Sequence, residues 1–186
     1  MKKRCEWGEG NILLTEYHDK EWGRLVKDDR KLFEFLVLES AQAGLNWLTI
    51  LKKRSGYKKA FANFDAKKVA KYDKRKITSL LKDPSIIRNR LKVEAAVNNA
   101  KRFLEIQKEF GSFYKYQTSF LKNGKQIKHN LRKNSDYPTT IKEAELFAKD
   151  LKSRGFKFLG PTTLYAHMQA TGMVDDHMIY CFRRLI

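Results

Sequence analysis

Three features of this sequence predict an all-α fold. Apolar residues recur at helical spacing in two long stretches, one from Leu32 and one from Val93. Polar residues able to cap helices stand at short intervals between Asp28 and Ser112. The chain holds no internal repeat and at most one hairpin signal, at Asn123-Gly124. With 186 residues, 42% hydrophobic and 12% aromatic, it suits one domain, residues 1–186, whose core needs no disulfide. No apolar run reaches the length of a membrane span, and the basic opening MKKRCEWGEG leads into no signal-peptide core, so a cytoplasmic protein is expected.

Residues 5–23, CEWGEGNILLTEYHDKEWG, concentrate one of the two cysteines, one of the four histidines and two of the three tryptophans. Their glycines and polar residues suggest loops around one short helix near Thr15–Glu21. Trp7, Tyr17 and Trp22 are then either core aromatics or walls of a site for a flat ligand. Asp28 and Asp29 put acidic groups at the start of the next helix, where the dipole favours them.

That helix carries the most informative residue. Leu32, Phe35, Leu36, Glu39 and Ala43 follow the spacing of one helix face, so Glu39 belongs on the core-facing stripe. No Lys or Arg stands three or four residues away, so helical pairing cannot relieve the charge. Either a distant arginine meets this carboxylate, or a bound group with hydrogen-bond donors does. The helix breaks at Gly44, and Trp47 brings a large flat side chain close to the same spot.

A second helix is expected from Asn46 to Arg54 and a third from Tyr57 to Phe64. Asp65 and Asp73 read as N-caps of short helices over 66–72 and 76–81. After Asp83-Pro84-Ser85, the stretch IIRNRLK leads into a long amphipathic helix that turns Val93, Ala96, Val97, Ala100, Phe103 and Leu104 to one side. The tight joint before it, flanked by Arg88, Arg90 and Lys92, could offer amides and cations to a phosphate; an ordinary connection with solvated arginines would look the same. Gly111 ends that helix and Ser112 caps another through Leu121. Residues 122–138 read as an exposed polar loop with His129 at the surface. Ala144, Phe147, Ala148 and Leu151 mark a helix closed by Arg154-Gly155, and Gly160-Pro161-Thr162-Thr163 opens one that ends at Gly172.

Lys and Arg number 39 against 21 Asp and Glu, a formal net charge of +18. Such a field favours a polyanion: nucleic acid first, an acidic membrane surface second, unless the lysines simply form a solvated surface. At the far end His177 and Cys181 are four apart, which would put both on one helix face, while Cys5 and His18 supply a second pair. A tetrahedral zinc site built from these residues would fasten the N-terminal loops to the C-terminal segment. Two unrelated buried thiols are the alternative. Four protein ligands would leave no position for a water nucleophile, so a structural zinc is expected rather than a catalytic one. A disulfide between the cysteines does not suit a reducing cytosol.

The sequence resembles the 3-methyladenine DNA glycosylase I family of the helix-hairpin-helix glycosylase superfamily. The resemblance rests on CEW at Cys5–Trp7, YHDKEWG at Tyr17–Gly23, LFEFLVLESAQAGLNWLTILKKR at Leu32–Arg54, IIRNRLK at Ile86–Lys92, RGFKFLGPTT at Arg154–Thr163 and MQATGMVDDHMIYC at Met168–Cys181. It implies a single all-helical domain with a structural zinc on Cys5, His18, His177 and Cys181, acting as a monomer on double-stranded alkylated DNA to hydrolyse the N-glycosidic bond of 3-methyladenine. It further implies that Glu39 hydrogen-bonds the excised base, that Tyr17 and Trp47 wall it, and that Trp7 and Trp22 complete the pocket. Gly44 and Leu45 would fill the gap left by the flipped nucleotide, and the hairpin with Arg88, Arg90 and Lys92 would grip the backbone. Leu91 stands where many members carry glycine, and Leu25 where a proline is usual. A zinc-stabilised nucleic-acid binder without activity is the second reading of the sequence; it leaves Glu39 without a task.

Overall fold

A computed structural model describes residues 2–184. Its helices start where the side chains can cap them. Asn11 accepts from the amide of Leu13 to start α1 (Ile12–Lys20), Asp28 from Arg30 to start α2 (Asp29–Gln42), and Asn46 from Thr49 to start α3 (Trp47–Ala60). Asp65 and Asp73 cap α4 (Ala66–Val69) and α5 (Lys74–Leu80), Asn89 caps α6 (Arg90–Phe110), and Ser112 caps α7 (Phe113–Thr118). Gly111 ends α6 in the left-handed conformation. The last helices, α8 (Lys142–Ser153) and α9 (Pro161–Ala170), pack against each other, and α9 begins on proline. No helix among the described residues is long and apolar enough to cross a membrane.

The main core gathers the apolar faces of α2, α6, α8 and α9 around Leu32, Phe33, Leu36, Phe103, Phe147 and Leu164, all essentially buried. A second cluster joins Cys5, Tyr17, Trp22, Phe35, Met178 and Cys181, so the chain's two ends share one apolar region.

Three expectations are corrected. The helix after Asn46 does not stop at Arg54 and restart at Tyr57 but runs unbroken to Ala60. Ser55-Gly56 does not interrupt it because Gly56 lies against Ser85, where an added Cβ would come within 2.3 Å of the Ser85 carbonyl oxygen. No hairpin forms at Asn123-Gly124. Those residues make a single 3-10 turn, and Ile127–Lys128 (β1) pairs in parallel with Val174–Asp175 (β2), forty-odd residues away. His177 and Cys181 lie beyond β2 in irregular chain and turns, not on a helix. Cys181 meets Cys5 and His18, while His177 packs on the rings of His18 and Trp22.

The segment carrying Trp22 is laid along the end of α9 by backbone bonds from Gly23 to Gln169 (2.9 Å) and from Val26 to Thr171 (3.0 Å). The other anchor is ionic. Arg54 of α3 forks onto Glu21 at 2.7 Å through both terminal nitrogens and reaches Glu34 of α2 at 2.6 Å through Nε, with Lys31 bridging the same carboxylates. Burial alone would raise the Glu21 carboxyl, but Arg54 and Lys31 hold it down to about 2. Arg54→Met strands two half-buried carboxylates beside one lysine, and should lower unfolding stability by roughly 2–3 kcal/mol, the figure for a broken buried pair discounted for partial exposure. Urea denaturation measures this. A loss below about 0.5 kcal/mol would make the network ornamental.

Candidate active site

α1, α2, α3 and α9 meet around one cavity of about 360 Å³, near the low end for small-molecule pockets. Trp7, Tyr17, Trp22, Glu39 and Trp47 all line it, so the residues expected at the base site do converge. Tyr17 and Trp47 stand 5.2 Å apart between ring centres and Trp7 and Trp22 4.8 Å apart nearly edge to face. The indole Nε1 of Trp47 and the hydroxyl of Tyr137, which also lines the pocket, are buried without a hydrogen-bond partner.

Glu39 is only 4% exposed, and among the described residues no donor lies within hydrogen-bond distance of its carboxylate. Arg54 is engaged with Glu21 and Glu34. Burial therefore pushes the Glu39 carboxyl up to about 8. It also pushes up the phenol of Tyr17, with Glu39 adding to the effect, so Tyr17 stays a neutral donor.

α2 ends beside this pocket. Gly44 takes a φ of +78°, a conformation that a residue with a Cβ enters only under strain, and so lets the chain turn into α3 within the four residues between Gln42 and Trp47. Leu45 sits on the outside of that turn, 39% exposed. Arg88 and Arg90 are exposed on the joint into α6. Lys92 departs from the expectation of a free cation, because its Nζ donates to the carbonyls of Ala41 at 2.9 Å and Ala43 at 2.6 Å.

Beneath Trp7 and Trp22, the sulfurs of Cys5 and Cys181 and a ring nitrogen of His18 lie within 4.8 Å of one another, all buried, close enough to hold a metal ion. His177 stands beside them with its ring 5.0 Å from that of His18. Both imidazoles are oriented by carboxylates: His18 Nδ1 lies 2.8 Å from Asp19 and His177 Nδ1 2.8 Å from Asp175. That leaves His177 Nε2 buried and without a partner. Gly23 makes room for the ring, since a Cβ there would come within 2.6 Å of His177 Cε1. Burial pushes the Cys5 thiol up to about 12 and the His18 imidazole down.

Asp19, Asp175 and Tyr137 were not foreseen. Asp19 and Asp175 stand one and two residues from the histidines, which is the signal that could have found them. Tyr165 and Gln169, also in the pocket wall, both donate to the buried Asp176.

A buried, unpartnered acid among aromatic rings on a strongly basic helical protein defines a site for a flat ring rich in hydrogen-bond donors. The methyladenine glycosylase family model matches residues 7–184. DNA-3-methyladenine glycosylase of Haemophilus influenzae is 44% identical over 181 residues, 97% of each chain. A crystal structure of 3-methyladenine DNA glycosylase I superposes with a TM-score of 0.93 at 40% identity, over 97% of this chain and 98% of that one. The Staphylococcus aureus 3-methyladenine DNA glycosylase I, solved for the structural basis of 3-methyladenine recognition, gives 0.92 at 41% identity over 96% and 95%. The chain belongs to the methyladenine glycosylase family.

The isolation of Glu39 has a consequence for stability. Its folded pKa of about 8 lies above the ordinary 4.5, so its contribution is intact below the lower value, erodes as pH rises between them, and is lost above the upper one. Glu39→Gln removes that loss. The variant should melt with the parent near pH 4.5 and at least about 3 °C above it near pH 9, by scanning calorimetry. An equal offset at both ends would place a counter-charge near Glu39.

Proposed function

We propose that this protein is a base-excision repair glycosylase that extracts 3-methyladenine from double-stranded alkylated DNA and hydrolyses its N-glycosidic bond. The observation that carries this reading is Glu39, a carboxyl with no protein donor facing a cavity walled by aromatic rings.

Methylation at N3 leaves the adenine ring cationic, which weakens its bond to the sugar, so the enzyme has little bond breaking to assist. Its work is to take the nucleotide out of the stack and hold the base while water reaches the sugar carbon. Leu45 would enter the space the nucleotide vacates, and Arg88 and Arg90 would hold phosphates of the duplex from the helix-hairpin-helix joint. In the pocket, Glu39 accepts from the exocyclic amino group while Tyr17 and Trp47 present π faces to the charged ring. Trp7 and Trp22 close the far side. A cation entering beside Glu39 favours the carboxylate over the acid, whereas a neutral adenine supplies no such charge. The pocket thereby selects the alkylated base by charge as well as by shape.

The buried cluster is best filled by zinc, with His177 as fourth ligand. Two thiolates and two imidazoles suit that ion, and His177 Nε2, oriented through Asp175 and otherwise unsatisfied, supplies the donor the other three residues lack. When bound, zinc would hold both thiols ionised and fasten the segment bearing Trp7 and Tyr17 to the chain beyond β2; its role is structural. The protein acts as a monomer in the cytoplasm on this reading.

Glu39→Gln can turn an amide donor toward the base's own donor, which should cost roughly 1–3 kcal/mol, a ten- to hundredfold fall in single-turnover release of 3-methyladenine from alkylated duplex. Parental rates in both Glu39→Gln and Glu39→Ala would leave recognition to the aromatic rings alone. For the metal, elemental analysis should find about one zinc per chain. His177→Ala and Cys181→Ser should each lose most of it and melt earlier; full metal content in His177→Ala would remove that residue from the ligand set.

A further inference from the structure

Lys92 differs from Arg88 and Arg90 in the basic joint because its ammonium donates to backbone carbonyls of another helix. Its Nζ lies 2.9 Å from the carbonyl of Ala41 and 2.6 Å from that of Ala43, across a sequence gap of about fifty residues. Carbonyls in the last turn of a helix lack intrahelical partners and carry the negative end of the dipole, so a cation there is well placed. The side chain is half-buried over the end of α2, and desolvation lowers its pKa.

The position is costly for α6. Lys92 stands in that helix's first turn, where the dipole opposes a positive charge, so the gain lies at α2. Its backbone amide is held by Asn89 Oδ1 at 3.2 Å, which fixes one end of the residue in the joint while its Nζ is fixed at the turn. On the far side of that turn Asn46 caps α3 through Thr49 at 2.8 Å. Between these two clamps stand Gly44 and Leu45, the latter bonded through its amide to Gln42. Arg88 and Arg90 remain exposed beside them; Arg90 has only an exposed pairing with Glu94 at 3.5 Å.

We propose that Lys92 is a positioning residue and not a phosphate ligand: it ties the backbone-gripping joint to the Gly44–Leu45 turn, so that engaging phosphate and inserting Leu45 are one event. The inference rests on the reading of Leu45 as the group that fills the vacated stack. Two of the three N–H donors of the ammonium are taken by these carbonyls, so its position is set by the end of α2 and not by a phosphate.

Two measurements on the same variants test this: single-turnover excision at saturating enzyme, and affinity for undamaged duplex across a salt series. Lys92→Met should excise roughly ten- to a hundredfold more slowly. Its affinity and salt slope should match the parent, whereas Arg88→Ala should lower the slope by about one. Lys92→Arg, which keeps a donor cation, should recover most of the rate. The double variant with Leu45→Ala should be no slower than the slower single one, as for two residues acting through one element. Should Lys92→Met fail to fold, Lys92→Gln carries the same expectations. A slope lowered as in Arg88→Ala, or an unchanged rate at saturation, overturns the proposal. If instead Leu45→Ala alone excises at the parental rate, the reading of the turn fails first, and the role given to Lys92 falls with it.

Discussion

Glu39 stands on the inner face of α2 with its charge unanswered, in a position where a leucine would serve the core better. Leaving a buried carboxyl without a donor raises its pKa to about 8 and weakens the fold above the ordinary carboxylate range. The arginine anchored on α2, Arg54, is engaged with Glu21 and Glu34 instead. The pocket opens onto that unanswered carboxyl, and the proposed substrate, a cationic base with an exocyclic amino donor, would satisfy it. Family membership and the shape of the cavity agree with this reading independently of the energetic argument.

A site of this kind needs walls that do not collapse onto the acid. Three of the rings, Trp7, Tyr17 and Trp22, come from the N-terminal segment, which has little helical periodicity and makes one 3-10 turn and one nine-residue helix of its own. It is held instead by contacts distant in sequence: Cys5 and His18 against Cys181, Gly23 against Gln169, and Glu21 against Arg54. These ties hold the segment whose rings line the cavity with Glu39. The same economy governs the exposed side, where Lys92 and Asn46 clamp a turn whose tip is apolar.

The helices were legible in the sequence because their starts are written in single side chains: Asp65, Asp73 and Ser112 each accept from amides of the helices they were expected to cap, and Asp28, expected only as an acidic group at the start of α2, caps it as well. Glu39 was legible for the opposite reason, as a residue that breaks the apolar pattern without a partner at helical spacing. What failed were inferences from short-range spacing about contacts that are long-range. His177 and Cys181 are four apart yet on no helix, and Asn123-Gly124 makes a turn but no hairpin, because the strand that follows pairs with β2. Lys92 shows the same limit: its place among arginines marks it as a cation, and only the fold reveals the carbonyls of α2 within its reach.

The claim on which the rest depends is that Glu39 is unpaired in the free protein and finds its partner in the base. Carbon-13 labelling of the glutamate side chains, with Glu39 assigned through Glu39→Gln, allows its carboxyl to be titrated by NMR with and without 3-methyladenine. The account predicts a midpoint near 8 for the free protein, moving downward when the base is bound, because the amino group favours the carboxylate. A free-protein midpoint in the ordinary range near 4.5, or one that the base leaves unmoved, would contradict it.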